Sequence, residues 1–155
     1  MKKLLLFLIG ICLVLLFCRC PLVDSEYRLE CYNLTNDTLM IYLALDFYSA
    51  YPDTTLPLTD PSLQILFPYE KGLAYITSDR YEKIIKDLPK DTLSVFFIHV
   101  DLSQKYTTWQ EIRENCDILK RYDLSLTDLQ ILNFTIPYPP SKTMKGMKMY
   151  PAYEE

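Results

Sequence analysis

Residues 93–100 constrain the fold of this chain more than any other part of the sequence. They read Leu-Ser-Val-Phe-Phe-Ile-His-Val, an almost continuously apolar run. A run of this length is typical of a strand that is covered on both of its faces. We therefore expect residues 93–100 to form a central strand of a sheet.

Two stretches nearer the N-terminus predict a β-hairpin. Residues 27–31 alternate between apolar and charged side chains, and residues 39–45 show a second two-residue alternation. The segment between them, residues 33–38, reads Asn-Leu-Thr-Asn-Asp-Thr. Such side chains bond their own backbone and favour turns. A strand, a turn and a second strand in this order predict a hairpin.

Three segments have the features of short helices. Residues 81–88 carry apolar side chains at helical spacing, with Ser78 or Asp79 as the expected cap and Pro89 as the expected end. Residues 108–111 and 125–128 match the capping-box pattern of helix N-termini. Further short strands are expected over residues 63–69, 72–77, 118–124 and 134–138.

This order of elements predicts the α+β fold class, with an antiparallel β-sheet and two or three short helices. An immunoglobulin-like β-sandwich with helical insertions is the alternative. We expect residues 27–138 to form a single globular domain and residues 139–155 to be a flexible tail.

The N-terminus resembles an export signal. Lys2 and Lys3 precede 14 apolar residues, 4–17, which as a helix would extend about 21 Å. A bilayer core needs about 30 Å, so this run fits a signal peptide better than a membrane span. Residues 1–20 are thus predicted to be a signal peptide or lipoprotein-type leader, and residues 21–26 a tether.

The cysteines that follow the apolar run suggest lipid attachment. Cys18 or Cys20 could receive lipid after cleavage, although Phe17 and Arg19 stand where lipoprotein signals usually have small residues. A plain secretory signal with incidental cysteines is the alternative. The expected location is the cell envelope, with the exported chain anchored at the outer-membrane or periplasmic face.

The charge balance and the shortage of glycine exclude several classes of function. Three of the 16 basic residues and none of the 20 acidic ones lie in residues 1–20, so the remainder has a formal charge of −7. An acidic domain is a poor candidate for binding nucleic acid. Only 3 glycines are present and no phosphate-loop or dinucleotide fingerprint occurs, so we expect no cofactor.

Two cysteines remain after the leader, Cys31 and Cys116. In an oxidising compartment they could form a disulfide that closes a long loop. Two buried free thiols are the alternative.

No arrangement of side chains is specific enough to assign a catalytic or metal site. His99 and Asp101 would share a face of a strand, but zinc needs three or four ligands. His99 with Cys116 could form a thiol–imidazole pair, without a supporting local motif. The carboxylates Asp46 with Asp53, and Asp101 with Glu111, could serve glycoside hydrolysis if their separation were suitable.

The proline-rich loop over residues 49–61 is a candidate binding loop. Tyr48, Tyr51 and Asp53 would form a rather rigid aromatic surface for a ligand or partner. A loop that packs its rings against its own domain is the alternative.

The sequence resembles one group of proteins. Residues 33–38, 91–97 and 121–133 together are similar to the uncharacterised small envelope lipoproteins of gut-type Gram-negative anaerobes. The likeness covers most of residues 27–140. It implies export and membrane tethering, and it implies no activity.

We therefore expect a non-enzymatic binding or assembly module of the cell envelope. Its partners would be the membrane, through the lipid or leader, and an envelope protein or glycan. One alternative is a small hydrolase that acts on envelope or dietary glycans. Another is an inhibitory or protective partner protein, which predicts a large exposed apolar patch.

Overall fold

Two β-sheets organise the part of the chain that the computed structural model describes, residues 26–45, 56, 63–100 and 108–154. The strands are β1 Tyr27–Asn33, β2 Leu39–Ala44, β3 Gln64–Leu66, β4 Lys71–Thr77, β5 Thr92–His99, β6 Ile118–Ser125, β7 Thr135–Tyr138 and β8 Lys148–Tyr150. The α-helices are α1 Tyr81–Asp87, α2 Trp109–Asn115 and α3 Leu126–Ile131, and short 3-10 turns cover Pro89–Asp91 and Lys142–Met144.

One sheet has three strands and the other has five. The three-stranded sheet has the order β4-β1-β7, with β1 antiparallel to β4 and parallel to β7. The five-stranded sheet has the order β3-β2-β5-β6-β8 and is antiparallel throughout. The α+β class is confirmed, with two mainly antiparallel sheets in place of one.

The main hydrophobic core contains side chains from both sheets. Leu29, Cys31 and Ile136 of the three-stranded sheet belong to the same buried cluster as Val95 and Phe97 of β5. Helices α1 and α3 add Tyr81, Ile85 and Leu129 to this core. Fully burying each large apolar side chain stabilises the fold by about 1.5–3 kcal/mol, so this shared cluster holds the two sheets together.

A second, smaller core covers the opposite face of the five-stranded sheet. Phe96 and Ile98 of β5 pack there with Trp109 and Ile112 of α2 and with Leu56. Successive side chains of a strand point to opposite faces, so β5 supplies both cores. The prediction that residues 93–100 form a central strand covered on both faces is therefore confirmed.

The predicted β1–β2 hairpin is wrong. β1 lies in the three-stranded sheet and β2 in the five-stranded sheet, so the turn over residues 33–38 carries the chain from one sheet to the other. The partners of β1 are β4 and β7, which lie far from it in sequence. Local alternation predicted the strands but could not predict their pairing.

The helix starts were predicted well where a capping box is present. Thr108 and Ser125 both form complete capping boxes, with Glu111 and Asp128 as their partners. Helix α1 begins differently, since its N-cap is Arg80 and no side chain caps it. Asp79 instead lies 3.1 Å from the Lys83 ammonium, four residues ahead.

The C-terminal segment is part of the fold. Residues 139–155 were expected to be a flexible tail, but β8 pairs with β6 in antiparallel register. Met144 and Met149 are buried in the main core. Burial of these two methionines anchors the segment, and the domain continues past the predicted boundary at residue 138.

The leader over residues 1–20 and the lipid attachment at Cys18 or Cys20 lie outside the described residues and stay predictions. Within the described ranges, none of the helices has the length and apolar character that crossing a membrane requires.

Candidate interaction site

Exposed apolar side chains concentrate in one short segment. Eight large apolar residues are exposed within the described ranges, and five of them belong to residues 65–76: Ile65, Phe67, Tyr69, Leu73 and Ile76. A sixth, Leu34, lies in the turn that follows β1. Single exposed apolar residues are ordinary, whereas six on two turns and the strands beside them make this region a candidate interaction surface.

Two turns form the most prominent part of this surface, and we call them the loop platform. The first is the turn over residues 33–38, between β1 and β2, which exposes Leu34. The second covers residues 67–70, between β3 and β4, and exposes Phe67 and Tyr69. Both turns connect a strand of one sheet to a strand of the other.

The turn over residues 67–70 holds a bulky residue in an unfavourable backbone conformation. The Glu70 amide donates to the Phe67 carbonyl at 3.1 Å, and the Glu70 carboxylate accepts from the Phe67 amide at 2.8 Å. Pro68 and Tyr69 are the central residues, and Tyr69 has φ 56°. Glycine or asparagine is usual at such a position, because the left-handed region costs other residues about 1–2 kcal/mol.

Asn33 connects the two turns from the interior. Its side chain is fully buried, and its amide nitrogen donates to the carbonyls of Asp37 at 2.7 Å and Phe67 at 3.0 Å, with a longer contact to Leu66 at 3.4 Å. Its amide oxygen accepts from the Thr35 amide and hydroxyl at 2.9 and 2.7 Å. Asn33 thereby fixes both turns relative to each other.

The Tyr69 ring spans the two turns on the outside. Its hydroxyl donates to the Asn36 side-chain oxygen at 2.9 Å, while 59% of the residue stays exposed. The Leu34 amide donates to the Tyr138 carbonyl at 2.7 Å, which ties the platform to the end of β7. The aromatic surface is therefore exposed and also held in place.

Carboxylates border the loop platform. Asp37 and Glu70 are both exposed, and neither forms an ion pair with another described residue. Burial, and then the negative charge of Asp37, raise the pKa of the Tyr138 hydroxyl above its ordinary value. The platform thus combines apolar side chains with a negative rim.

A cavity opens between the two sheets next to this region. It has a volume of about 280 Å³ and is lined by Ile41, Tyr42, Leu43, Leu45, Gln64, Ala74 and Tyr75. Beside it, the Gln64 side-chain amide donates to the Ala74 carbonyl at 2.8 Å. β3 and β4 are each an edge strand of their sheet, so this bond links the two sheets at their edges.

A buried ion pair lies on the second face of the five-stranded sheet. Arg121 Nε and Nη2 lie 2.9 Å from Asp123 Oδ1, and Nη2 also donates to the Ser94 hydroxyl at 2.9 Å. The Ser94 hydroxyl also bonds Asp123, and the guanidinium lies 5.0 Å from the centre of the Phe96 ring. Within the part of the chain that the structure describes, Arg121 Nη1 and Asp123 Oδ2 are buried and have no hydrogen-bond partner.

Of the catalytic or metal-binding pairs predicted from the sequence, only His99 with Cys116 lies wholly within the described residues. His99 is exposed at the end of β5, Cys116 is exposed beyond α2, and no hydrogen bond joins these two residues. The Glu111 carboxylate accepts from the Thr108 amide at 2.7 Å, which lowers its pKa and commits it to the helix cap. Its suggested partner Asp101, and the pair Asp46 and Asp53, lie outside the described residues.

The predicted binding loop is described at one residue only. Tyr48, Tyr51 and Asp53 lie outside the described residues, whereas Leu56 is buried in the second core. The Leu56 carbonyl accepts from Arg113 Nε at 3.3 Å. At this residue, the loop packs against its own domain.

The two cysteines of the domain are free thiols, so the structure does not contain the disulfide considered between Cys31 and Cys116. Cys31 is fully buried in the main core, where burial raises the pKa of its thiol. Cys116 is exposed at the C-terminal end of α2, with φ 55°. The alternative was that both thiols are free and buried. This is confirmed for Cys31, whereas Cys116 is free but exposed.

No family model, curated protein or solved structure matches this chain. Among the described residues, no group of three or more histidine, cysteine or carboxylate side chains is arranged to hold a metal ion. The loop platform and the sequence of the leader are therefore the two features from which a function can be inferred.

Proposed function

We propose that this chain is an exported, membrane-tethered protein of the cell envelope, and that it binds a protein partner through the loop platform. Its role is non-enzymatic binding or assembly. The leader pattern of residues 1–20 and the resemblance to small envelope lipoproteins support export and tethering. The exposed aromatic surface supports binding.

The observation that carries this proposal is that Tyr69 has a positive φ and an exposed side chain. A bulky residue with positive φ costs stability, and such strain tends to persist where function requires it. Here the strained turn exposes the rings of Phe67 and Tyr69, while the buried Asn33 holds the Phe67 backbone and the bond to Asn36 holds the Tyr69 ring. A rigid aromatic surface loses little conformational entropy on binding, which favours affinity.

Site-specific photo-crosslinking in the native cells tests the binding surface. Phe67 is replaced by a photoreactive phenylalanine analogue, and a second variant carries the same analogue at Ile131. Ile131 is a matched control because it is 53% exposed, compared with 54% for Phe67, but it lies on α3. We expect one discrete crosslinked protein from position 67 only. Equal products from both positions, or no product from position 67, would contradict the proposal.

Intact mass of the mature protein tests the tether. We expect the membrane-extracted protein to begin at Cys18 or Cys20 and to carry the added mass of two or three acyl chains. A soluble species that begins after Cys20 would exclude the lipid and support a plain secretory signal. A chain that stays inside the cell with Met1 in place would contradict export altogether.

The same surface also supports a second candidate function, that of an inhibitory or protective partner protein. This function needs a large exposed apolar patch, and the exposed apolar residues within 65–76 are the feature that favours it. The identity of the crosslinked protein separates the two. If that protein is an enzyme whose activity falls when the full-length chain is added, the inhibitory role is supported.

A further inference from the structure

The loop platform places negative charge directly beside its apolar side chains. Asp37 lies in the same turn as Leu34, and Glu70 immediately follows Tyr69. The bond from the Phe67 amide to the Glu70 carboxylate holds that carboxylate close to the backbone of Phe67. Both carboxylates therefore lie beside the aromatic surface, and a hydrogen bond holds that of Glu70 in place.

The cations nearest to these two carboxylates along the described chain pair with other acidic residues. Lys71 pairs with Glu30, and Arg28 pairs with Glu26 at 3.1 Å. Within the part of the chain that the structure describes, Asp37 and Glu70 stay outside every ion pair. The rim of the platform thus carries two carboxylates that pair with none of the described cations.

We infer that the partner docks an apolar segment that carries lysine or arginine next to its aromatic or aliphatic side chains. This inference rests on the proposed function and names the chemistry of the partner. Apolar contacts with Phe67 and Tyr69 would supply most of the affinity. The carboxylates would steer the partner and set its orientation, which is how charged rims act at interfaces. A cation could also lie over the exposed ring of Tyr69.

Selection from a random peptide library identifies the preferred chemistry even while the partner is unidentified. The probe is a phage-displayed library of random dodecapeptides, selected against the full-length chain in detergent micelles. Peptides that bind the wild-type protein but not the Phe67→Ala and Tyr69→Ala variants are directed to the platform. We expect these peptides to be enriched in lysine or arginine beside aromatic or aliphatic residues.

An isosteric double variant then tests the charges alone. Asp37→Asn with Glu70→Gln removes two charges and retains an oxygen that can accept the Phe67 amide. We expect affinity for the selected peptides to fall about threefold to tenfold at low salt, and its salt dependence to weaken. Glu82→Gln with Asp87→Asn is the control, since it removes two exposed charges from α1 and should leave affinity unchanged.

The outcomes separate this inference from the proposed function. Platform-directed peptides without basic residues would overturn the inference and leave the binding function in place. Equal weakening by the α1 control would overturn it too, because the attraction would then depend on net charge. If the selection yields no platform-directed peptides, the inference also fails, and crosslinking from position 67 decides the proposed function independently.

Discussion

The side-chain amide of Asn33 donates a hydrogen bond to the main-chain carbonyl of Phe67, 3.0 Å away and 34 residues later in the chain. Asn33 ends β1 of the three-stranded sheet, and Phe67 follows β3 of the five-stranded sheet. One buried side chain therefore joins the two sheets at the end where the loop platform lies. The shape of the platform and the stability of the fold depend on the same residue.

Replacing Asn33 with alanine is expected to lower the free energy of unfolding by about 2–4 kcal/mol, because several buried polar groups lose their partners at once. Urea unfolding followed by circular dichroism measures the change. Asn36→Ala is the matched control, since Asn36 is exposed and its side-chain oxygen accepts a hydrogen bond from the exposed Tyr69. Its cost should stay below about 1 kcal/mol. Equal costs for the two variants would show that Asn33 has no special role.

The positive φ of Tyr69 is expected to reduce the stability of the fold. Tyr69→Gly and Tyr69→Ala both remove the ring and the bond to Asn36, but only glycine adopts φ 56° without strain. The glycine variant should therefore be more stable than the alanine variant by about 1 kcal/mol. Thermal unfolding of the two proteins measures this difference. A more stable alanine variant would mean that the turn is not strained.

The sequence predicted those parts of the fold that depend on nearby residues. The capping boxes at Thr108 and Ser125 each involve four consecutive residues, so both could be recognised directly. The burial of β5 on both faces could also be predicted, since its middle residues, 95–98, are all apolar. Each of these features is determined within one element of the chain.

Pairing between distant strands could not be predicted in this way. Glu30 of β1 lies beside Thr135 of β7, about a hundred positions later, and no local pattern indicates that register. The β8 strand has only three residues, so it gives no alternation long enough to recognise. The short spacing between β1 and β2 favoured a hairpin, but burial in a core shared by two sheets determined the actual arrangement.

Only part of the candidate site could be predicted from the sequence. The turn over residues 33–38 was predicted from its polar side chains, but the role of Asn33 as a bond donor to Phe67 depends on tertiary contact. The signal that was missed is Pro68 followed by Tyr69, because proline in the second position of a turn often precedes a residue with positive φ.

Tyr81 is expected to contribute to the pH dependence of stability. Its hydroxyl is buried and has no hydrogen-bond partner among the described residues, and burial, with a smaller effect of Tyr75, raises its pKa from 10.0 to about 12. Because the folded-state pKa of Tyr81 lies above the unfolded value, the contribution of its neutral hydroxyl to stability is fully present below pH 10. This contribution is lost as the pH rises toward 12.

Tyr81→Phe should therefore be at least as stable as the wild type at pH 7, and its advantage should grow above pH 10. Unfolding in urea across pH 7–11 measures the difference between the two proteins. Tyr122→Phe is a control at pH 7 only, because the Tyr122 hydroxyl donates to the Pro137 carbonyl at 3.1 Å and burial raises its own pKa as well. Its loss should cost about 1 kcal/mol at pH 7. A Tyr81→Phe advantage that does not change with pH would contradict the expected role of the hydroxyl.

Removing one partner of the buried ion pair of Arg121 and Asp123 should strongly destabilise the fold. Replacing both partners with apolar residues should not. Both side chains are fully buried, and each retains one atom without a partner, so the pair does not recover all of its desolvation cost. Asp123→Ala leaves the guanidinium charge buried and uncompensated, which should lower the free energy of unfolding by about 3–5 kcal/mol.

Replacing the whole polar cluster of Ser94, Arg121 and Asp123 should recover the stability that Asp123→Ala loses. In the triple variant Ser94→Ala, Arg121→Met and Asp123→Leu, no charge stays buried and apolar atoms fill similar space beside Phe96. We expect its stability to lie within about 1 kcal/mol of the wild type or to exceed it, as measured by urea unfolding. If the triple variant is as unstable as Asp123→Ala, the ion pair itself stabilises the pairing of β5 with β6. Stability equal to that of the wild type would instead show that the cluster is tolerated by the fold and is not required for it.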